Sequence, residues 1–232
     1  MERNFVLLGA AVLALAFSSC KVSNGAGQET QVKELNTATE MEAFSGIVVD
    51  GLANVILAQG EQSSVMVRSE NREAFDRLVV YVEDSMLYIT TKSVDNFNQN
   101  LDGITIYVTT PIIRSVEIAG SGDITTTTPI TTGNVSVKIA GSGNIDFADS
   151  MLCNNLNAEI DGSGNIHFKH VTASKVNTSI TGSGDVTYDN LIAGNADSEI
   201  DGSGNITLRG KVAQHTEDVS GNGNIDTSGV TR

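Results

Sequence analysis

The 232-residue chain contains no tryptophan, only 2 prolines and only 2 cysteines. Aromatic residues make up 5% of it, so a sugar-binding platform of flat indole rings is excluded from the start. Two cysteines, Cys20 and Cys153, in unlike surroundings do not make a disulfide framework. Basic residues are scarce as well: 14 Lys plus Arg against 28 Asp plus Glu give a net charge of −14. Such a chain repels phosphate backbones, which argues against nucleic acid as a partner. Long apolar runs are missing too. The only sustained one, Phe5 to Phe17, is 13 residues long, shorter than the roughly 20 residues that span a bilayer as a helix.

What is present is ordered by position. The run from Phe5 to Phe17 follows Arg3, precedes Ser18 and Ser19, and has the size of an export-signal core. The ending Ser18-Ser19-Cys20 resembles the lipobox of bacterial lipoproteins, although Phe17 stands where leucine is commonest. That resemblance implies removal of residues 1–19 and attachment of lipid to Cys20. Acyl chains contribute about 0.8 kcal/mol per buried CH₂, and two signals give stable anchoring. The expected membrane partner is thus reached through Cys20, in the cell envelope, with the outer membrane expected and its surface or periplasmic side left open. Residues 20–40 are small and polar and read as a flexible tether, because too little apolar surface is available there to offset chain entropy.

Residues 41–232 read as one repeat domain. Gly120-Ser121-Gly122-Asp123-Ile124 recurs at Gly141, Gly162, Gly182 and Gly202, and in altered form as Gly221-Asn222-Gly223-Asn224-Ile225, at spacings of 21, 21, 20, 20 and 19. An apolar β-branched residue stands two places before each copy (Ile118, Ile139, Ile160, Ile180, Ile200, Val219). Another stands four places after its first glycine (Ile124, Ile145, Ile166, Val186, Ile206, Ile225). Glycine reaches positive φ without steric cost, and Asn and Asp tolerate it best among the rest, so each copy reads as strand, tight corner, strand. Alternation in Val135-Ser136-Val137-Lys138-Ile139 buries one face and wets the other. Phe147, Phe168 and Tyr188 share one inward column, and Ile130, Leu152, Val171, Leu191 and Val212 mark a third apolar site.

A unit of about 20 residues with two or three short strands is one coil of a β-helix, whose stability comes from stacking on its neighbours. The expected fold is therefore all-β, a parallel β-helix with Gly-Ser-Gly-Asn/Asp-Ile corners, with regular repeats over 116–232. Residues 41–115 are less regular and read as opening coils that cap the N-terminal end. Within them, Val49-Asp50-Gly51-Leu52-Ala53-Asn54-Val55 echoes the corner. Strands are expected over Ser64 to Arg68, Leu78 to Val82, Met86 to Thr90 and Ile104 to Thr109, with a short helix or a loop over Glu70 to Arg77. The last coil, around Ile225 to Val230, is short and polar and reads as a weak cap.

Three groups of residues resemble the putative auto-transporter adhesin head GIN domain family. Phe44-Ser45-Gly46-Ile47-Val48-Val49-Asp50-Gly51 looks like its opening, Val55 to Gly60 and Leu87-Tyr88-Ile89 like its next strands, and the Gly-Ser-Gly-Asn-Ile copies like its body. The resemblance runs from about Ala43 to the end. It implies a right-handed parallel β-helix and a cell-envelope lipoprotein, and it carries over no catalytic motif.

The function expected is that of an envelope-anchored adhesin, binding or scaffold module with a protein or glycan partner of unspecified kind and no set oligomeric state. Two alternatives are a polysaccharide-processing β-helix enzyme and a periplasmic structural or sensing protein. No catalytic, cofactor or metal-ligating residue is assigned. Asp161 and Asp201 share a column two coils apart, roughly 9–10 Å by strand stacking, and read as corner residues rather than as an acid pair. His167 and Lys169 are expected on one face of a strand with His170 on the other, which keeps the two histidines from sharing a metal. The calcium nonapeptide and the EF-hand loop are both absent. Asp84-Ser85-Met86 and Asp149-Ser150-Met151 resemble an Asp-Ser/Thr-apolar O-glycosylation signal, which makes Ser85 and Ser150 candidate modification sites. An enzyme would need a groove lined by clustered acids; a scaffold would show ladders of Ser, Thr and Asn without such a cluster.

Overall fold

The structure is a computed structural model that describes residues 33–36, 42–69, 72–91 and 104–232. Cys20, the export signal and most of the tether lie outside the described residues. The elements in chain order are β1 (Lys33–Asn36), β2 (Gly46–Val49), β3 (Asn54–Gln59), β4 (Ser64–Ser69), α1 (Arg72–Arg77), β5 (Leu78–Glu83), β6 (Met86–Thr91), β7 (Ile104–Thr110), β8 (Ser115–Ile118), β9 (Asp123–Thr126), β10 (Ile130–Thr131), β11 (Asn134–Gly141), β12 (Asn144–Gly162), β13 (Asn165–Gly182), β14 (Asp185–Gly202), β15 (Asn205–Gly221) and β16 (Asn224–Thr231).

From β8 onward the coils stack in parallel and form a β-solenoid. Ile118, Ile139, Ile160, Ile180, Ile200 and Val219 lie in one register column, and Ile124, Ile145, Ile166, Val186, Ile206 and Ile225 in another. The five isoleucines that open the first column and the first five residues of the second are buried. Inside the coils, Phe147, Phe168 and Tyr188 stack with ring centroids 4.8 Å apart at each step. This is the strand spacing, so the stack follows from the register rather than from a special aromatic geometry.

The corner explains its own glycines. Gly141, Gly162, Gly182 and Gly202 all have φ between +127° and +155°. A Cβ on Gly162 would sit 2.2 Å from the carbonyl oxygen of Gly141 in the coil below. Those carbonyls accept from the next coil's serine amides: Gly120 from Ser142, Gly141 from Ser163, Gly162 from Ser183 and Gly182 from Ser203, at 2.8–2.9 Å.

The echo at Val49 to Val55 is the first corner: the amide of Ser121 donates to the carbonyl of Gly51 at 2.9 Å, so β2 and β3 form the coil beneath β8 and β9. Chain order and spatial order then part. β6 pairs in parallel with β2, and β7 with β3, on the far side from β8 and β9. β5 and β4 close that end by antiparallel pairing to β6 and β7, and β1 adds antiparallel to β4. The N-terminal cap is thus built partly of antiparallel hairpins rather than of coils alone. The expected strands are all present, and Arg72–Arg77 is helical, burying Ala74 and Phe75.

Two expectations about side-chain direction are corrected. Leu152 is 52% exposed, and Met151 takes the inward place, because it and not Leu152 is in register with Ile130 in the coil before and Val171 in the coil after. Val212 stacks on Ala193, while Gly210 stacks on Leu191. His170 is exposed like Lys169, because the coil turns there and two consecutive residues point outward. At the C-terminal end the inward columns turn polar. His215 follows Leu156, Val176 and Ala196, and Glu217 follows Ala158, Thr178 and Ser198. His215 Nε2 lies 3.0 Å from Glu217 Oε1, so a polar imidazole–carboxylate contact ends the core there, with Ile225 and Val230 half-buried.

Candidate functional surface

With the inward columns filled by apolar side chains, chemistry is left to the outward ones. The corner column is Asp123, Asn144, Asn165, Asp185, Asn205, Asn224. Asn144 Nδ2 donates to Asp123 Oδ1 (2.8 Å), Asn165 Nδ2 to Asn144 Oδ1 (2.9 Å) and Asn205 Nδ2 to Asp185 Oδ1 (2.7 Å). Each of these three amides donates to the coil below, and the column is a structural ladder first.

The neighbouring column holds Thr125, Asp146, His167, Thr187, Thr207 and Asp226. His167 is clamped in it: Nδ1 lies 2.7 Å from Asp146 Oδ1 and Nε2 lies 2.9 Å from Asp189 Oδ2. Partial burial works against the imidazolium, but the hydrogen bonds to Asp189 and Asp146 outweigh it and raise the histidine's pKa above its ordinary value. Both ring nitrogens face a different carboxylate, an arrangement that holds a proton rather than a metal ion. His170 stands apart, with its Nδ1 3.5 Å from Asn190 Nδ2.

On the side before the corner, Lys138 Nζ bonds Glu159 Oε1 at 2.7 Å and Lys175 Nζ lies 2.9 Å from Asp197 Oδ2. The Thr216 hydroxyl and Lys175 hold Asp197 below the usual carboxylate range, and Ser228 does the same for Asp226. Both shifts run opposite to that of a general acid, which must keep its proton near neutrality. Asp161 and Asp201 flank Thr181 in one exposed column, two coils apart. The open groove of about 520 Å³ lies elsewhere, lined by Ile112, Arg114, Thr131, Thr132, Gly133 and Asn134. It contains one charge, Arg114, and no carboxylate. Among the described residues, no three His, Cys, Asp or Glu side chains converge on a point that could hold a metal ion. Cys153 is buried, and desolvation pushes its thiol up to about 11. Such a thiol is no nucleophile at neutral pH.

The acids are therefore dispersed along columns, and the outward faces are ladders of Ser, Thr, Asn and Asp. The family profile described as "Putative auto-transporter adhesin, head GIN domain" matches residues 43–231. The chain belongs to that family. Solved structures agree on the fold of this head GIN domain. A putative adhesin from Parabacteroides distasonis ATCC 8503 superposes with a TM-score of 0.76 at 22% identity, over 85% of this chain and 82% of that one. A putative adhesin from Bacteroides fragilis NCTC 9343 gives 0.70 at 20%, over 84% and 96%. A putative lipid binding protein from Parabacteroides distasonis gives 0.67 at 20%, over 87% and 96%. No curated protein matches.

One outward feature of the head GIN domain escapes sequence reading. Tyr81 on β5 and Tyr88 on β6 stack with centroids 5.0 Å apart and planes 12° off parallel, and Tyr81 is 39% exposed. Burial raises the Tyr81 phenol's pKa, with Glu83, Tyr88 and Asp50 adding to it. Only a pairing register could have found this, since Leu78-Val79-Val80-Tyr81-Val82 has no alternation to show which residues face out. The proposed modification residues are both exposed: Ser85 in the β5–β6 turn and Ser150 at a coil turn. Among the described residues, no helix is long and apolar enough to cross a membrane.

Proposed function

We propose that the chain is a cell-envelope lipoprotein, held by lipid on Cys20, that presents its β-helix as a rigid adhesive or scaffolding surface. The observation that carries this reading is the distribution of outward side chains. Polar ladders run the length of the coils, while the groove lined by Ile112, Arg114, Thr131, Thr132, Gly133 and Asn134 has no acid in it. A polysaccharide-processing site needs paired or clustered acids in such a groove. Membership of an adhesin-named family supports the same direction, and so does the resemblance of the segment ending Ser18-Ser19-Cys20 to an export signal with a lipobox.

A stack of coils suits the role physically. Its residues are fixed by backbone register rather than by loops, so a partner meets a preformed surface and little ordering entropy opposes binding. The test is protease shaving of intact cells, with the Cys20→Ala variant in parallel. Wild-type protein removed from the cell surface, together with release or mislocalisation of the variant, is the expected result. Protection of the wild type until the outer membrane is opened would overturn surface display and leave a periplasmic scaffold.

A further inference from the structure

Among the described residues β5 pairs with β6 alone, so its outer edge is open, and it reads Leu78-Val79-Val80-Tyr81-Val82-Glu83, apolar except at its last residue. Exposed apolar edge strands are templates for another strand, and soluble proteins blunt them with lysine, proline or a covering element. Here the described residues supply none of these.

The direction of the free backbone groups follows from the hairpin. Asp84 and Ser85 have φ of 50° and 62°, a two-residue turn with both residues left-handed, so the closing pair Glu83 and Met86 is hydrogen-bonded. By alternation Tyr81 with Tyr88 is also a bonded pair, and Leu78, Val80 and Val82 turn their N–H and C=O groups to the open side. The other edge of β6 agrees: the carbonyls of Ser85 and Ile89 face β2, accepting from Ser45 and Asp50 at 2.9 Å.

We propose that the occupant of this edge is β5 of a second copy of the chain, antiparallel to the first, about a two-fold axis through Tyr81. In that register Val80 opposes Val82 of the second copy, so the groups that point outward meet each other in bonded pairs. Tyr81 opposes Tyr81 as a non-bonded pair, where Cα atoms approach to about 4.5 Å and side chains are closest. The aromatic ladder then continues across the axis as Tyr88, Tyr81, Tyr81, Tyr88. Glu83 falls opposite Val79 and Asp84 opposite Leu78, so no carboxylate faces a carboxylate even though each copy carries a net charge of −14. The contact is isologous and uses up each copy's edge, so assembly stops at two. A single strand pair buries less area than a permanent dimer, so association is weak and concentration-dependent.

The experiment is sedimentation equilibrium of the purified chain carrying Cys20→Ala, up to about 500 µM, a range that reads dissociation constants weaker than about 10 µM. A reversible monomer–dimer equilibrium is expected. Tyr81→Phe keeps it, and Tyr81→Lys, which substitutes an exposed side chain and leaves the core intact, weakens it about tenfold or more. Tyr81→Cys in the same background forms a disulfide between copies under mild oxidation, since the expected Cα separation lies within the disulfide range. A wild type that stays monomeric overturns the proposal. So does a dimer that Tyr81→Lys leaves unchanged, or one in which Tyr81→Cys does not cross-link. None of these outcomes bears on surface shaving, so the display reading stands or falls separately.

Discussion

The hydroxyl of Tyr188 lies 2.8 Å from that of Thr178, and both groups are sealed inside the coils. Each is the other's partner in a mainly apolar core, with buried Ser198 stacked on Thr178 in the next coil. Thr178→Val strands the phenol without a partner and is expected to cost about 1–3 kcal/mol. Tyr188→Phe leaves only the smaller hydroxyl unpaired and costs about 0.5–1.5 kcal/mol. The double variant removes both groups and falls closer to wild type than the two single losses added together. Urea unfolding with a common slope measures all three. Burial, more than any neighbour, raises the Tyr188 phenol far above the ordinary tyrosine range. Its phenolate absorbance should therefore appear only when alkali unfolds the chain.

His167 links three coils through Asp146 and Asp189, and its pKa is raised above 6.5. The charged form is the one the two carboxylates stabilise. The contribution is therefore complete below the unfolded pKa of about 6.5 and is lost as pH rises through the higher folded value. The loss on His167→Ala should be larger at pH 5.5 than at pH 8.5. Because the side chain is about 40% exposed, solvent screens the pair, and salt should shrink the difference. Thermal melts of both proteins at the two pH values check this. An equal loss at both would mean that packing, not charge, is what the ring supplies.

A corner glycine and the glycine between β10 and β11 differ sharply in what they tolerate. Gly162 combines φ of +143° with a neighbouring carbonyl oxygen 2.2 Å from any added Cβ. Gly162→Ala must both strain the backbone and push the stacked coils apart, and about 3 kcal/mol or more of stability should be lost. Gly133 has nothing within 4 Å of an added Cβ, and Gly133→Ala should change stability by less than about 0.5 kcal/mol. Chemical denaturation of the pair gives the contrast directly.

The sequence reveals whatever a local pattern encodes. The Gly-Ser-Gly columns are visible because each corner repeats the same backbone demand, and the first corner at Gly51 shows through even with Leu52 and Ala53 replacing serine and glycine. Pairing between distant strands is not encoded locally. Nothing near Leu87 or Ile106 says that β6 and β7 lie beyond β2 and β3, so the cap reads as opening coils. The same holds where coils differ by one residue. Met151, not Leu152, falls in register with Ile130 and Val171, and Asp189 reaches His167 from a row two places beyond Thr187, the residue that stacks on it. The clamp on His167 and the Tyr81–Tyr88 stack thus depend on alignment between strands that no single strand records.

Cys153 offers an internal reporter of coil opening. Its side chain is buried, stacked against Ala173 in the next coil, and desolvation alone pushes its thiol up to about 11. At pH 8 very little thiolate exists, and reagent has no path to it while the coils stay closed. Labelling by a thiol reagent should therefore be slow in water and rise with denaturant as the coils separate, giving the opening free energy of that segment. Cys20→Ala removes the other thiol, so the signal belongs to Cys153. Gly162→Ala, one coil corner away, should speed labelling much more than Gly133→Ala does. Rapid labelling of the unsubstituted coils without denaturant would show that this part of the β-helix opens freely and that its columns are not the rigid surface that binding requires.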